Sequence, residues 1–164
     1  MSNWVICLGG SANQVPYIKE IKKDYKVFLV DKDENAPGKK FANEFKAIGY
    51  DQIAELKLLA KSDFFNSHEI KYVFSAASQF SQVGVSVLSE SLNLDFIDKK
   101  HILNCLDKKA FYKIFNELSA PFPETFFIYN FKDLKDLILN NEHVCDWYLK
   151  SDFGKSPNYI YKIN

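Results

Sequence analysis

The stretch WVICLGGSANQVPYIKEI, residues 4–21, followed by KVFLVD at Lys26–Asp31, decides the fold of this chain. Its first five residues form an apolar run that predicts a short strand, and Gly9-Gly10 then marks a turn. Apolar residues recur next at the helical spacing of Val15, Ile18 and Ile21. A strand, a glycine turn, a helix and a second strand make a βαβ unit, whose crossover sets the two strands parallel.

The pattern then repeats along the chain. Leu56–Phe65 predicts a helix and Tyr72–Ala76 a buried strand, and a further helix is predicted by the apolar face Val83, Val87, Leu88 and Leu92. Three strands between helices predict an α/β fold, a doubly wound, Rossmann-like open parallel sheet. Polar residues at Asp95–Lys100 predict a boundary, so the first domain is expected at 1–98 and the second at 99–164.

The second region predicts a mixed α+β unit. One helix is predicted by the apolar stripe Leu103, Leu106, Ala110, Phe111, Ile114 and Leu118. It should end before Pro121 and Pro123, because proline lacks the N–H that a helix needs. Strands are expected at Glu124–Tyr129, Cys145–Lys150 and Tyr159–Ile163, and a helix through Leu134, Leu137 and Ile138.

Composition argues against several functional classes. Twenty-one basic residues balance 21 acidic ones, so no net charge attracts nucleic acid or an anionic membrane. No stretch approaches the roughly 20 apolar residues of a transmembrane helix, and the N-terminus carries no signal-like segment. We therefore expect a cytoplasmic protein with no nucleic-acid and no membrane partner. Because every basic residue is Lys, a phosphate site must use ammonium groups, backbone N–H groups or metal.

The three cysteines, Cys7, Cys105 and Cys145, indicate neither a disulfide framework nor a zinc site. They are odd in number, far apart and without histidines at ligand spacing. Cys7 lies inside the first apolar run, which favours a small core residue over a reactive thiol.

The glycine turn is the first candidate binding site. Gly9, Gly10 and Gln14 follow the first strand, where backbone N–H groups can meet an anion at a helix N-terminus. Asp31 lies where the ribose-binding acid of a dinucleotide site would lie, so an NAD-type binding module or reductase is an alternative function. The glycine match to that fingerprint is poor. A tight turn without any ligand explains the same residues.

A second candidate lies at the carboxyl end of the third predicted strand. Ser75, Ser78 and Gln79 occupy the edge where open α/β sheets bind ligands, and they are predicted to bind a small polar substrate. Ser78 could equally cap the helix that follows.

Leu106-Asp107-Lys108, the proline turn at 120–123 and the run Trp147–Lys150 resemble, in this order, the motifs of the ATP-grasp superfamily of carboxylate-amine ligases. Gly9-Gly10, Val30-Asp31, Ala36-Pro37-Gly38 and Ala42–Phe45 are similar to its N-terminal, pre-ATP-grasp domain. The resemblance implies that 99–164 is the first part of an ATP-grasp domain. It also implies a parent enzyme that activates a small-molecule carboxylate as an acyl phosphate with ATP and Mg, then passes it to a nucleophile.

In this resemblance, Lys108 and Lys150 match the two lysines directed at ATP phosphates, and Lys150 ends a buried strand. Gly154 and Ser156 take the place of part of a phosphate-binding loop, although Pro157 removes one backbone donor there. The family's adenine-contacting hinge and its Mg ligands have no counterparts in this chain. We therefore expect a truncated ligase with no catalytic residue or metal ligand of its own and weak nucleotide affinity.

Two further expectations follow, with one alternative. The loop 151–158 should be mobile, and aromatic residues of the second domain should remain exposed and promote a homodimer or larger species. Ten such residues are expected at that surface: Phe122, Phe126, Phe127, Tyr129, Phe131, Trp147, Tyr148, Phe153, Tyr159 and Tyr161. The alternative is a non-catalytic domain that binds a ligand or a partner protein.

Overall fold

The computed structural model describes residues 3–77, 79–121, 123–141, 146–151 and 160–163. The chain divides into two compact units, residues 1–103 and 104–164. The sequence predicts a domain boundary after residue 98. In the structure the two units divide between Leu103 and Asn104. In the first unit the elements are β1 (Trp4–Leu8), α1 (Val15–Ile21), β2 (Lys26–Asp31), β3 (Glu44–Ala47), α2 (Ile53–Ala60), α3 (Asp63–Ser67), β4 (Ile70–Phe74) and α4 (Ser81–Ser91).

The later elements begin with α5 (Lys99–Leu106), which crosses the division between the units. The second unit then contains α6 (Lys108–Glu117), α7 (Phe131–Asn140), β5 (Trp147–Lys150) and β6 (Ile160–Ile163). Within the described ranges, no helix combines the length and the apolar character needed to cross a bilayer.

The first unit is built on a four-stranded parallel sheet of order β3-β2-β1-β4. The central strand β1 is buried along its whole length because it pairs on both sides and carries helices on both faces. On one face, Ile6 and Leu8 pack with Leu56 and Leu88 of α2 and α4. On the other, Cys7 packs with Ile18 of α1. The doubly wound α/β fold is therefore confirmed.

Two details of this sheet differ from the sequence prediction. The prediction of three strands missed β3, which pairs parallel to β2 and has Phe45 as its one bulky apolar residue. The expectation that the strand at 72–76 is buried was wrong. β4 spans Ile70–Phe74 at the edge of the described sheet, and Tyr72 is 39% exposed, because an edge strand has a neighbour on one side only.

The predicted helix at 56–65 is two helices. α2 ends at Ala60, and α3 starts at Asp63. The stripe from Leu103 to Leu118 is likewise broken at Asp107, whose extended backbone separates α5 from α6. The Asp107 carboxylate accepts the N–H groups of Lys109 at 2.9 Å and Ala110 at 3.3 Å. This N-cap makes Asp107 the residue at which α6 begins.

The second unit contains α6, α7 and an antiparallel pair of β5 with β6. α7 and β6 agree with the sequence prediction, and β5 does so over Trp147–Lys150. The strand predicted at Glu124–Tyr129 was wrong: this segment has no regular structure and pairs with no described strand. Its last residues instead lead into α7, where Asn130 accepts the Asp133 N–H at 3.0 Å and Asp133 accepts the Tyr129 N–H at 3.1 Å.

Aromatic side chains of the second unit are largely exposed, as expected. Of the ten residues named above, six are exposed, namely Phe126, Phe127, Tyr129, Phe131, Tyr148 and Tyr161, and Trp147 is half-buried. The strand that ends in Lys150 is also mostly exposed rather than buried. Phe122, Phe153, Tyr159 and the loop 152–158 lie outside the described residues.

Candidate functional site

A cavity of about 410 Å³ lies at the carboxyl ends of β1 and β2 in the first unit. It is lined by Gly9, Ser11, Ala12, Asp31, Lys32, Asp33, Ala36, Pro37, Gly49, Tyr50 and Ala77. This position follows from the parallel sheet, since the loops after neighbouring strands meet at one edge and leave a crevice there. The predicted site residue Gly9 lies in its wall, together with Asp31.

The backbone of the glycine turn is held by the protein itself. Gly9 donates its N–H to the Val30 carbonyl at 2.8 Å, and Gly10 donates to Asp31 Oδ2 at 2.6 Å. Gly9 has φ +97°, and a Cβ there would lie 2.9 Å from Ala77 Cβ. A residue with a side chain would therefore be strained as well as crowded at this position. Neither glycine N–H remains for an anion.

Asp31 serves the turn in a way the sequence did not predict. Its Oδ2 accepts from Gly10, and its Oδ1 accepts the Asp33 N–H at 2.9 Å. An NAD-type site would need the Gly10 N–H to bind the pyrophosphate and the Asp31 carboxylate to bind the ribose. In the structure these two groups are hydrogen-bonded to each other. This geometry therefore weighs against an NAD-type site.

Gln14 and Ser75 are buried and join the loops after β1 and β4. Gln14 Oε1 accepts the Ala76 N–H at 3.2 Å. Ser75 Oγ hydrogen-bonds to the Leu8 carbonyl at 2.5 Å and to Ser81 Oγ at 2.8 Å. These two buried side chains therefore connect the loops at this edge of the sheet. Gln79 is exposed on the same loop, and Ser78 lies outside the described residues.

Cys7 lies beneath the turn as an inert thiol. It is fully buried and donates to the Gly9 carbonyl at 3.5 Å. Burial first, and the negative charge of Asp31 second, raise the pKa of this thiol from 9.0 to about 12. The prediction of a core cysteine is confirmed.

The predicted lysine pair lies in the second unit. Lys108 follows the capping residue Asp107, and its Nζ donates to the backbone carbonyl of Ser151, the residue directly after Lys150. The structure thus brings the start of α6 to the end of β5. Lys108 is half-buried, whereas Lys150 is exposed, and among the described residues its ammonium group has no hydrogen-bond or ion-pair partner. Gly154 and Ser156 lie outside the described residues.

Neighbouring aromatic rings hold the ammonium group of Lys109, the residue that follows Lys108 in α6. Lys109 Nζ lies 4.8 Å from the ring centre of Tyr129 and 6.0 Å from that of Phe127. These cation–π contacts fix the Lys109 side chain on the segment before α7. In the part of the chain that the structure describes, no group of three or more His, Cys, Asp or Glu is arranged to hold a metal ion.

Comparison with solved structures identifies the fold. N5-carboxyaminoimidazole synthetase from Staphylococcus aureus, complexed with ADP, matches with a TM-score of 0.74 and 18% identity, over 99% of this chain and 41% of that chain. Phosphoribosylglycinamide synthetase from Anaerococcus prevotii matches with a TM-score of 0.70 and 16% identity, over 98% and 38%. The fold is that of the N-terminal part of ATP-grasp ligases. The resemblance predicted from the motifs is thus confirmed for the fold.

L-amino acid ligase from Bacillus licheniformis also matches the chain, with a TM-score of 0.60 and 13% identity over 87% of this chain. Of that ligase, 42% is covered. The chain thus spans about two fifths of the length of these ATP-grasp structures. No family model matches the sequence, and a search of curated proteins finds no relative.

The cavity contains residues that sequence reasoning did not assign to a site. Lys32, Gly49 and Tyr50 line it. Lys32 directly follows the predicted second strand, whereas Gly49 and Tyr50 follow β3, which was not predicted. Ala36 and Pro37 were noted for their resemblance to the family, without a role at a binding site. The turn-forming residues at 36–38 could have indicated this part of the cavity from the sequence, since such clusters often lie beside binding loops.

Proposed function

We propose that this chain is the N-terminal portion of an ATP-dependent carboxylate-amine ligase. Lys108 and Lys150 would belong to the site for the nucleotide phosphates, and the cavity of the first unit would hold the small-molecule substrate. The observation that carries the proposal is the hydrogen bond from Lys108 Nζ to the Ser151 carbonyl. It supports a common site for two lysines that lie far apart in the sequence.

The lysines suit phosphate oxygens for a simple chemical reason. An ammonium group has three donors, and Lys108 uses one of them on Ser151, so two remain for a ligand. Lys150 is exposed, and no described residue neutralises it. Two ammonium groups near one strand end create a local positive potential, which attracts the polyphosphate of a nucleotide.

When bound, ATP would supply the phosphoryl group that activates a carboxylate as an acyl phosphate. The lysines of this chain would orient the phosphates and offset part of their negative charge. Mg is the usual partner of such phosphates, but the described residues provide no ligand set for it. We therefore assign no step to a metal here, and the chain by itself is expected to bind nucleotide without turning it over.

ADP binding, measured by calorimetry without added metal, tests this proposal. Lys150→Ala should weaken ADP binding about tenfold or more, because a hydrogen bond to a charged group is worth about 1.5–3 kcal/mol. Lys108→Ala should weaken it similarly and also remove the hydrogen bond to the Ser151 carbonyl. Lys113→Ala, on the exposed surface of α6, is the matched control and should leave the affinity unchanged. Equal ADP affinity in Lys150→Ala and the parent chain would refute the phosphate site.

A further inference from the structure

Asp107 holds the turn of backbone that carries Lys108. Its Oδ1 accepts the N–H groups of Lys109 at 2.9 Å and Ala110 at 3.3 Å, two donors at the start of α6 that the helix itself cannot bond. Lys108 lies between Asp107 and these donors, so its backbone is part of the ring that the capping bond to Lys109 closes. The Asp107 carboxylate therefore fixes the point from which the Lys108 side chain extends.

No helix-breaking residue explains why a helix starts at this position. From Lys99 to Leu118 the chain contains no glycine and no proline, and its apolar residues keep the helical spacing. α5 nevertheless ends at Leu106, and Asp107 has an extended backbone with φ −83° and ψ 107°. Aspartate is poor inside a helix and good at an N-cap, because its short side chain bonds nearby backbone N–H groups. The break therefore depends on the Asp107 side chain.

The Lys108 side chain reaches from this fixed point to the end of β5. Its Nζ donates to the carbonyl of Ser151, a residue 43 positions away in the sequence. A lysine side chain is long and flexible, and a ligand that binds its ammonium group must overcome the entropy of ordering it. The cap at one end of Lys108 and the bond to Ser151 at the other reduce this cost, because the side chain is ordered in advance.

The charge of Asp107 is unfavourable for a phosphate site. A carboxylate directly before Lys108 lowers the positive potential that attracts a polyphosphate. A residue that served only to attract phosphate would be neutral or basic at this position. What Asp107 contributes to such a site is therefore geometry, through the two N–H groups that its Oδ1 accepts.

We propose that Asp107 is a positioning residue for the nucleotide phosphates and acts through Lys108. This inference rests on the proposed function and adds to it a residue that does not itself touch the ligand. The capping bonds hold the Lys108 backbone, and the ammonium group beside Ser151 is thereby presented to the phosphates. Without the cap, the first turn of α6 can unwind or continue into α5, and Lys108 then reaches a phosphate from a wider set of conformations.

The test measures ADP binding to the full chain by calorimetry without added metal. Asp107→Ala removes the cap and the charge, whereas Asp107→Glu keeps the charge but displaces the acceptor by one methylene. Both should bind ADP about three- to tenfold more weakly, since one more long side chain must be ordered on binding. Asp107→Asn and Asp107→Ser keep a capping acceptor without the charge and should bind ADP at least as tightly as the parent chain. Equal weakening in Asp107→Asn and Asp107→Ala would assign the effect to charge and overturn the inference.

A double-variant cycle shows whether Asp107 acts through Lys108. In the Lys108→Ala background, adding Asp107→Ala should change ADP affinity by less than about twofold, because the side chain that it positions is gone. A purely structural role would weaken binding by the same factor in both backgrounds. Asn130→Ala is the matched control, because Asn130 caps α7 in the same unit by accepting the Asp133 N–H at 3.0 Å. It should leave ADP binding unchanged.

The cap itself can be measured without any nucleotide. Amide hydrogen exchange at Lys109 and Ala110 should be faster in Asp107→Ala than in the parent chain, because both N–H groups lose their acceptor. In Asp107→Asn the exchange at these two amides should stay close to that of the parent chain. Unchanged exchange in Asp107→Ala would overturn the inference.

Two patterns of ADP binding would also overturn it. One is an unchanged affinity in Asp107→Ala while Lys108→Ala weakens binding, and the other is an equal loss from Asp107→Ala with and without Lys108. The proposed function fails in a different way, when Lys108→Ala and Lys150→Ala both bind ADP as the parent chain does. That result removes the phosphate site and the positioning role together. Failure of the positioning role alone is therefore distinguishable from failure of the proposed function.

Discussion

The carboxylate of Asp31 accepts a hydrogen bond from the backbone N–H of Gly10 at 2.6 Å, although 21 positions separate the two residues. This bond ties the turn after β1 to the end of β2, and it determines the shape of the cavity between them. The same carboxylate contributes to the raised pKa of Cys7 beneath the turn. Asp31 is thus a structural residue of the candidate site.

Replacing Asp31 with Ala should destabilise the first unit by about 1.5–3 kcal/mol, because the partly buried Gly10 N–H loses a charged acceptor. Urea unfolding followed by circular dichroism measures the change. Asp33→Ala is the control, because its carboxylate caps an exposed turn through Asn35. A cost for Asp31→Ala no larger than that of Asp33→Ala would contradict this role.

Gly9→Ala should cost about 2 kcal/mol or more, because φ +97° strains a residue with a side chain and the new Cβ meets Ala77. Adding Ala77→Gly should remove the collision but not the backbone strain. The double variant is therefore expected to recover part of the loss in thermal unfolding. Strictly additive effects of the two substitutions would show that the side chains do not meet.

The Cys7 thiol should resist a disulfide reagent at pH 8 until the chain unfolds, whereas the exposed Cys105 should react at once. Using a Cys145→Ser background restricts the assay to these two thiols. Since folding raises the pKa of Cys7 from 9.0 to about 12, its stabilising contribution is complete below pH 9 and declines as the pH rises towards 12.

The comparison variant for this effect is Cys7→Ala, whose stability should decline less between pH 9 and 12 than that of the parent chain. Asp31→Asn should lower the pKa of Cys7, because it removes the negative charge that adds to the effect of burial. Rapid modification of Cys7 in the native state would count against its burial.

The exposed aromatic surface of the second unit should cause self-association. Tyr129 is 74% exposed and Phe131 is 80% exposed, and apolar surface of this kind favours contact between molecules. Sedimentation velocity should show a dimer or larger species at high concentration. A double variant with Tyr129→Lys and Phe131→Lys should shift the protein towards monomer. Tyr17→Lys in the first unit is the control and should not. A monomer at all concentrations would refute the prediction.

Much of the first unit could be predicted from local sequence. β1 and β2 were found with the observed bounds, because each is a short apolar run next to turn residues. β3 was missed because Glu44–Ala47 has only one bulky apolar residue. The place of β4 at the edge depends on which strands pair, and no residue within Ile70–Phe74 encodes this information.

The errors in the second unit have related physical causes. Glu124–Tyr129 has the composition of a strand, but a strand forms only when a partner supplies its hydrogen bonds. Asp107 interrupts a continuous apolar stripe because its side chain caps α6. The burial of Gln14 was equally hidden from sequence reasoning, since its partner Ala76 lies 62 positions away.

The central place of β1 has a consequence for biosynthesis. The strand pairs with β2 and with β4, so a nascent chain can complete one side of it long before the other. At roughly 5–20 residues per second, the ribosome takes several seconds to reach Phe74 after it has added Leu8. During that interval the backbone groups on the β4 side of this strongly apolar strand have no strand to pair with. A chaperone that binds this unpaired edge of β1 early would keep the growing chain from pairing with other nascent chains on the same polysome.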